Sequence, residues 1–129
     1  MAPARPGGEG ELPVSEAVAE RLADTMFALS TPSRVRILAC LLAGPASVSD
    51  LTQELGMEQS AVSHQLRVLR EHDLVRAEKD GRRRLYALSD EHVSTLLHAA
   101  FRHVGVPRPV LPASAPPRAV PGEAAGGAR

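Results

Sequence analysis

The sequence predicts a mainly α-helical domain with one small β-hairpin, in the order of a winged helix-turn-helix. Two short helices with apolar periodicity, one ending at Gly56 and the next over about 59–72, are joined by a turn of about three residues, which is typical of a helix-turn-helix. Directly after them, Asp80-Gly81 lies between the extended segments 74–78 and 84–88. An Asp-Gly pair in that setting is a strong hairpin signal, because both central residues of the favoured turn need positive φ.

Pro and Gly are concentrated at the two ends of the 129-residue chain. Most of the 11 Pro and 10 Gly fall within residues 1–13 and 105–129, and such segments bury too little apolar surface to fold. The sequence therefore predicts a disordered N-terminal tail over 1–13, a folded winged-helix domain over 14–104, and a disordered Pro/Ala/Gly-rich tail over 105–129.

The composition argues against several function classes. The chain has one Cys, one Tyr, two Phe and no Trp, which argues against a disulfide framework, a Cys-rich zinc motif and base-stacking folds for single-stranded nucleic acid. The longest apolar run, residues 37–43, is too short to span a bilayer, and the N-terminus lacks an apolar signal core. We therefore expect a cytoplasmic protein without a membrane partner. An enzyme is not expected, because the sequence shows no nucleophile elbow, Gly-rich phosphate loop or closed metal motif.

Apolar spacing and end signals predict the remaining helices. Residues 14–29 repeat apolar side chains at helical spacing, and the segment 31–45 begins with Thr-Pro and ends with Gly-Pro, which are helix start and stop signals. Cys40 lies inside this second helix and is predicted to be a buried structural thiol. The last helix, residues 90–104, follows the capping candidates Ser89-Asp90 and is ended by a glycine.

The first and last helices carry apolar faces that predict a dimer. The last helix has the apolar stripe Val93, Leu96, Leu97, Ala100 and Val104. No later element is available to pack against this stripe. A folded unit of about 90 residues with a thin aliphatic core gains from oligomerisation, so we expect a two-fold interface built from these two helices.

Charge is segregated along a chain whose formal net charge is zero. Residues 9–24 hold five acids with Arg21 as their base, whereas residues 64–86 hold seven bases and four acids. Segregation of this kind favours a face that meets a polyanion. An ordinary solvated charged surface is the alternative.

The segments TPSRVRILACL, SAVSHQLRVLREHDLV, KDGRRRLYAL and DEHV, in this order, resemble the ArsR/SmtB family of small dimeric bacterial winged-helix repressors. The resemblance covers about residues 15–104 and does not extend to the tails. It implies a homodimer that binds a palindromic double-stranded DNA operator and releases it when an effector, often a metal ion, binds.

The predicted DNA-reading surface is the polar face of the second helix of the helix-turn-helix. It carries Gln59, Ser60, Ser63, His64 and Arg67. Such side chains can bond to base edges and phosphates in a major groove, and the resemblance implies that the first four lie against DNA. At the hairpin, Arg82, Arg83 and Arg84 are predicted to contact phosphates or the adjacent minor groove. A polar solvent face and a solvated hairpin tip are the alternatives.

Family metal sites implied by the resemblance occur at two places, and only one is matched here. Val48, Ser49 and Asp50 stand where a thiolate site needs cysteines, which argues against arsenic, cadmium or lead sensing through that site. On the last helix, three of four expected ligand positions match. These are Asp90, His92 and His103, with Val106 at the fourth position. One Asp and two His suit zinc, cobalt or nickel.

The spacing of the two histidines predicts a metal site shared between subunits. His92 and His103 lie on one helix face about 16 Å apart, given a rise of 1.5 Å per residue, so one ion cannot bridge them within a chain. If the last helix pairs antiparallel with its dimer mate, Asp90 and His92 of one subunit meet His103 of the other, giving two symmetric sites.

Two function hypotheses remain for the effector. The first is a metal-responsive repressor, with nickel, zinc or cobalt as the ligand. The second keeps the DNA binding and replaces the metal with a co-regulator protein, a small molecule or a redox change. A winged helix used only for protein contacts is disfavoured by Gln59, Ser63 and His64 together with the arginine-rich hairpin.

Overall fold

The computed structural model describes residues 13–107. They form a mainly helical domain with a two-stranded antiparallel hairpin, which confirms the predicted fold class. In chain order the elements are α1 (Glu16–Ala28), α2 (Pro32–Leu42), α3 (Val48–Leu55), α4 (Gln59–Glu71), β1 (Val75–Asp80), β2 (Arg83–Leu88) and α5 (Glu91–His103). The predicted tails at 1–13 and 105–129 fall almost entirely outside the described residues. No helix in the described range is long and apolar enough to cross a membrane.

Local capping explains where several helices begin. Ser47 and Asp50 form a reciprocal capping box at the start of α3, with bonds of 3.0 and 2.9 Å, and Asp90 caps α5. Thr31 occupies the predicted cap position of α2 but makes no capping hydrogen bond, and its buried Oγ1 has no partner within the part of the chain that the structure describes. The start of α2 is therefore set by Pro32 at the first helical position, where the missing N–H costs nothing.

The core of the protomer is aliphatic, as predicted. Its largest fully buried side chains are Ile37, Leu38, Leu51, Val62, Leu66, Leu69 and Leu85. Cys40 is also buried. The segment before α3 is tied to the hairpin by paired backbone bonds between Ala46 and Tyr86, at 2.9 and 2.8 Å, so α3 and the hairpin are held together.

Helices α1 and α5 differ in how much of their apolar surface the protomer uses. Among its residues α1 buries Ala28 alone, whereas Val18, Leu22 and Met26 are 46%, 55% and 44% exposed. The apolar stripe of α5 is divided, because Val93 and Leu97 are buried in the protomer core and Ala100 and Val104 are exposed. The part of the α5 stripe that remains for the predicted dimer interface is therefore narrower than the full stripe, since Val93 and Leu97 pack within the chain.

The hairpin turn lies one residue later than predicted. Asp80 pairs with Arg83 across the two strands, so Gly81 and Arg82 are the central residues of the turn, not Asp80 and Gly81. Gly81 has φ of 65°, and positive φ at the first central residue alone is typical of a type II′ turn. Only the glycine needs this conformation, and Asp80 can therefore remain in β1.

Candidate nucleic-acid interface and effector site

The turn between α3 and α4 presents the second of these helices to solvent. Gly56 ends α3 with φ of 66°, a left-handed conformation that glycine adopts without steric cost. Leu51 of α3 is fully buried, as are Val62 and Leu66 of α4, which fixes the inward face of α4. The opposite face of α4 is therefore held outward by core packing on two helices.

The predicted DNA-reading side chains lie together on this outward face. All five are exposed: Gln59, Ser60, Ser63, His64 and Arg67. Within residues 13–107 none of their side chains makes a hydrogen bond or an ion pair. The structure thus brings the set together on one helix face with its polar groups available to a ligand.

The β1–β2 hairpin is the wing of the domain, and its three arginines, residues 82–84, are not equivalent. Arg82 and Arg84 are exposed. The side chain of Arg83 is half-buried, and its Nη2 lies 3.1 Å from Oδ2 of Asp50. That carboxylate oxygen also accepts the Ser47 amide of the α3 capping box. Arg83 therefore joins the wing to α3, whereas Arg82 and Arg84 are directed to solvent.

The pairing of Asp50 with Arg83 was missed by sequence reasoning. An acidic residue three positions after Ser47 predicts a capping box, but it carries no sign of a second partner 33 positions away. The consequence is structural: one carboxylate both starts α3 and holds the base of the wing.

Removing either partner of this pair is expected to lower the free energy of unfolding unequally. Asp50→Ala loses the capping-box bond and the ion pair, so we expect a loss of about 2 kcal/mol. Arg83→Ala leaves the capping box intact and should cost about 1 kcal/mol, because the pair is partly solvated. Urea denaturation would measure both losses of unfolding free energy. The control is Arg84→Ala, because Arg84 is exposed and lies next to Arg83. Equal losses for Arg83→Ala and Arg84→Ala would contradict the assignment.

The predicted metal ligands lie at the two ends of α5. Asp90 Oδ1 accepts the amides of His92 and Val93 at 2.9 and 3.1 Å, and His92 Nδ1 lies 3.6 Å from the same oxygen. His103 is the last residue of α5 and is exposed. The structure thus places two of the three ligands together and the third at the opposite end of the helix.

The side chains at the two ends of α5 are of the types that bind transition-metal ions. One chain, however, does not bring enough of them together to hold an ion. An Asp oxygen and two imidazole nitrogens suit zinc, cobalt or nickel, and capping occupies Oδ1 of Asp90, which leaves Oδ2 for an ion. No cluster of three metal-ligating side chains occurs within residues 13–107 of a single chain. Val106, at the fourth position, is 41% exposed and supplies no donor atom.

Sequence comparison places this architecture among known regulators. Residues 31–77 match the family described as bacterial regulatory protein, arsR family. The chain is 50% identical over 91 residues to the HTH-type transcriptional regulator NmtR of Mycobacterium tuberculosis, an alignment that covers 70% of this chain and 76% of NmtR. The chain belongs to the ArsR/SmtB family. The resemblance predicted from the four sequence segments is thereby confirmed.

Solved structures agree with this family assignment. The solution structure of apo-NmtR matches with a TM-score of 0.62 and 45% identity, covering 80% of this chain and 87% of that one. The homodimeric winged helix-turn-helix DNA-binding domain Mb0332 of Mycobacterium bovis matches with a TM-score of 0.64 and 28% identity, covering 75% and 89% of the two chains. This ArsR/SmtB protein is therefore a winged-helix transcriptional regulator that binds DNA, and it is not an enzyme.

Proposed function

We propose that this regulator is a homodimeric repressor that binds a palindromic operator and releases it on binding a divalent transition metal. The observation that carries the proposal is the outward face of α4, where Ser63, His64 and neighbouring polar side chains lie together without partners among residues 13–107. In helix-turn-helix proteins, the second helix of the motif, which is α4 here, enters the major groove. The two-fold symmetry of a dimer then requires a palindromic site.

Two kinds of DNA contact are proposed on this surface. Side chains at the N-terminal half of α4 read base edges, and the wing arginines Arg82 and Arg84 bind phosphates. Arg83 contributes to the same surface indirectly, because its bond to Asp50 sets where the wing leaves the body. Of the three arginines predicted to touch DNA, Arg83 already has a partner among the described residues.

Base contacts and phosphate contacts are expected to respond differently to substitution. Ser63→Ala or His64→Ala should reduce the preference for operator over random duplex by about tenfold, since one good base contact contributes about 1–3 kcal/mol. Arg82→Ala with Arg84→Ala should weaken binding to both duplexes and reduce the salt dependence by about one counterion per lost contact. Fluorescence titrations at several salt concentrations would measure both, with an operator selected from a random duplex library. If the α4 variants and the arginine variants lost the same amount of preference for operator over random duplex, the division into base contacts and phosphate contacts would be contradicted.

The dimer proposal is supported by the uncovered side of α1. Val18, Leu22 and Met26 follow one face of this helix and stay about half exposed in the protomer, which is unusual for a contiguous apolar face of a soluble domain. A structural neighbour with 28% identity is homodimeric. A second copy of the chain would cover this face and the exposed part of the α5 stripe.

The metal proposal is supported by the separation of Asp90 and His92 from His103 along α5. An antiparallel partner helix would bring the missing ligand to each end and form two equivalent sites. The alternative is the same regulator with a non-metal signal or a co-regulator protein, and it is favoured by Val106, which provides no fourth ligand. Titrating the protein–operator complex with nickel, cobalt and zinc and then with a chelator separates the two. Release by metal and recovery by chelator support the first, whereas operator binding indifferent to both supports the second.

A further inference from the structure

Arg34 is a buried charged residue on the apolar side of α2. It is 8% exposed and falls on the same helix stripe as Ile37, Leu38 and Leu41, which are core residues. Arginine is rarely buried this far unless its guanidinium group is paired. The contacts of Arg34 therefore explain why a charge is kept inside a small aliphatic core.

The guanidinium group of Arg34 contacts two other helices at once. Its Nε donates to the carbonyl oxygen of Ala28 at 2.5 Å and its Nη2 to that of Phe27 at 3.4 Å, both in the last turn of α1. Its Nη1 donates to Oε1 of Gln65 on α4 at 3.0 Å. The planar, forked guanidinium can hold partners in two directions in a way that a single ammonium cannot.

The α1 end of this connection is chemically suited to a cation. The last carbonyl groups of a helix lack intrahelical donors and lie at the negative end of the helix dipole. In the protomer α1 buries Ala28 alone among its residues, so apolar packing holds this helix weakly. The Arg34 bonds thus attach the proposed dimer helix to the body of the protomer.

The α4 end of this connection lies beside the DNA-reading face. Gln65 is half-buried and stands between His64, which is exposed, and Leu66, which is buried. A bond to its amide oxygen therefore fixes α4 at the level of the residues proposed to read bases. A displacement of α1 would therefore be transmitted to Gln65 on α4 through the side chain of Arg34.

We propose that Arg34 is a positioning residue that links the dimer helix α1 to the recognition helix α4 through Gln65, so that operator affinity depends on this bond. The inference rests on the proposed operator binding by α4. It adds to that proposal a physical connection between the subunit interface and the DNA-reading face, made of three hydrogen bonds to neutral oxygens.

The two ends of the connection give different expected phenotypes. Gln65→Met removes the acceptor on α4 and leaves α1 attached, so operator affinity should fall about fivefold or more, within the range of typical couplings between sites, while the dimer dissociation constant stays unchanged. Arg34→Met also removes the donor to the Ala28 carbonyl group and one of the donors to that of Phe27, which keeps its bonds from Ser30, so dimerisation and operator binding should both weaken. Gln53→Met, on the exposed side of α3, is the matched control and should change neither.

The double variant and a conservative variant distinguish a link from general destabilisation. If the bond is the cause, Gln65→Met should add no further loss of operator affinity in the Arg34→Met background. Arg34→Lys keeps the charge but cannot span both partners, so it should resemble a broken link. In the unmodified protein, amide NMR signals of residues 26–29 should shift on operator binding, and Gln65→Met should abolish that shift while leaving the spectrum folded.

Three results would overturn the link. They are an unchanged operator affinity in Gln65→Met, losses that simply multiply in the double variant, and α1 signals that still respond to operator in Gln65→Met. Failure of the unmodified protein to select any duplex from a random library is a separate result. It would reject the proposed operator binding itself and not the link alone.

Discussion

Leu22→Glu is expected to convert the dimer into a folded monomer that no longer binds its operator. Leu22 is 55% exposed in the protomer, so a carboxylate there costs the isolated subunit little. In the proposed dimer the same position is covered by a second copy, and burying an unpaired charge costs several kcal/mol. The dimer dissociation constant should rise by at least about 100-fold, and operator binding should be lost with the second half-site.

Light scattering and circular dichroism would measure this result together. The expected species has the mass of one chain, 13.7 kDa, with the helical signal of the unmodified protein. Ala17→Glu is the matched control, because Ala17 is exposed on the same helix about 140° around its axis from Leu22. Leu97 would be a poor probe, since it is 4% exposed in the protomer core and a charge there should unfold the chain. A Leu22→Glu protein that stays dimeric would exclude α1 from the interface.

A mixed dimer is expected to bind half as much metal as the unmodified protein. One subunit carries His92→Ala and the other His103→Ala. If each ion is held by Asp90 and His92 of one subunit and His103 of the other, both substitutions fall in one site and the second site keeps all its ligands. Calorimetry with nickel, cobalt or zinc should then give one ion per mixed dimer, with the remaining site close to its original affinity.

The homodimers of each single variant provide the comparison. Each has a ligand missing from both sites, so affinity should fall about 100-fold or more, beyond the usual cost of second-shell changes. His98→Ala is the control on the same helix, because His98 lies on a different face from the two proposed ligands. Two weakened sites in the mixed dimer would mean that each ion is bound within one chain. No heat signal from the unmodified protein with any of the three metals would favour the non-metal effector.

The helices and the outward polar face of α4 were predictable because their signals are local. Ser47 with Asp50, Asp90 and the glycine after α3 are end signals read within a few residues, and apolar periodicity alone sets which face of α4 is outward. The hairpin was also predicted, but its turn was misplaced by one residue. Asp-Gly and Gly-Arg are both acceptable central pairs, and strand pairing between distant residues decides between them.

The long-range polar contacts were not predictable from one sequence. Asp50 and Arg83 are 33 positions apart, and Arg34 and Gln65 are 31 positions apart, so neither pair leaves a local pattern. Arg34 did leave one sign, since a charged residue on the apolar stripe of α2 requires a buried partner. This feature of the sequence indicates that Arg34 has a buried partner, but it does not indicate which residue the partner is.

The separation of acidic and basic surfaces affects how the protein approaches DNA. Helix α1 exposes Glu16, Glu20 and Asp24 and lines a cleft with His72 and Asp73 at the C-terminal end of α4, away from the N-terminal residues proposed to read bases. A chain of zero net charge with its charges separated is rotated by the field of the phosphates more than it is attracted by it. If α4 reads the operator as proposed, encounters should begin with α4 already directed at the groove. Weak overall attraction should also let a misplaced molecule leave random sequence quickly, which would shorten each unproductive visit during the search.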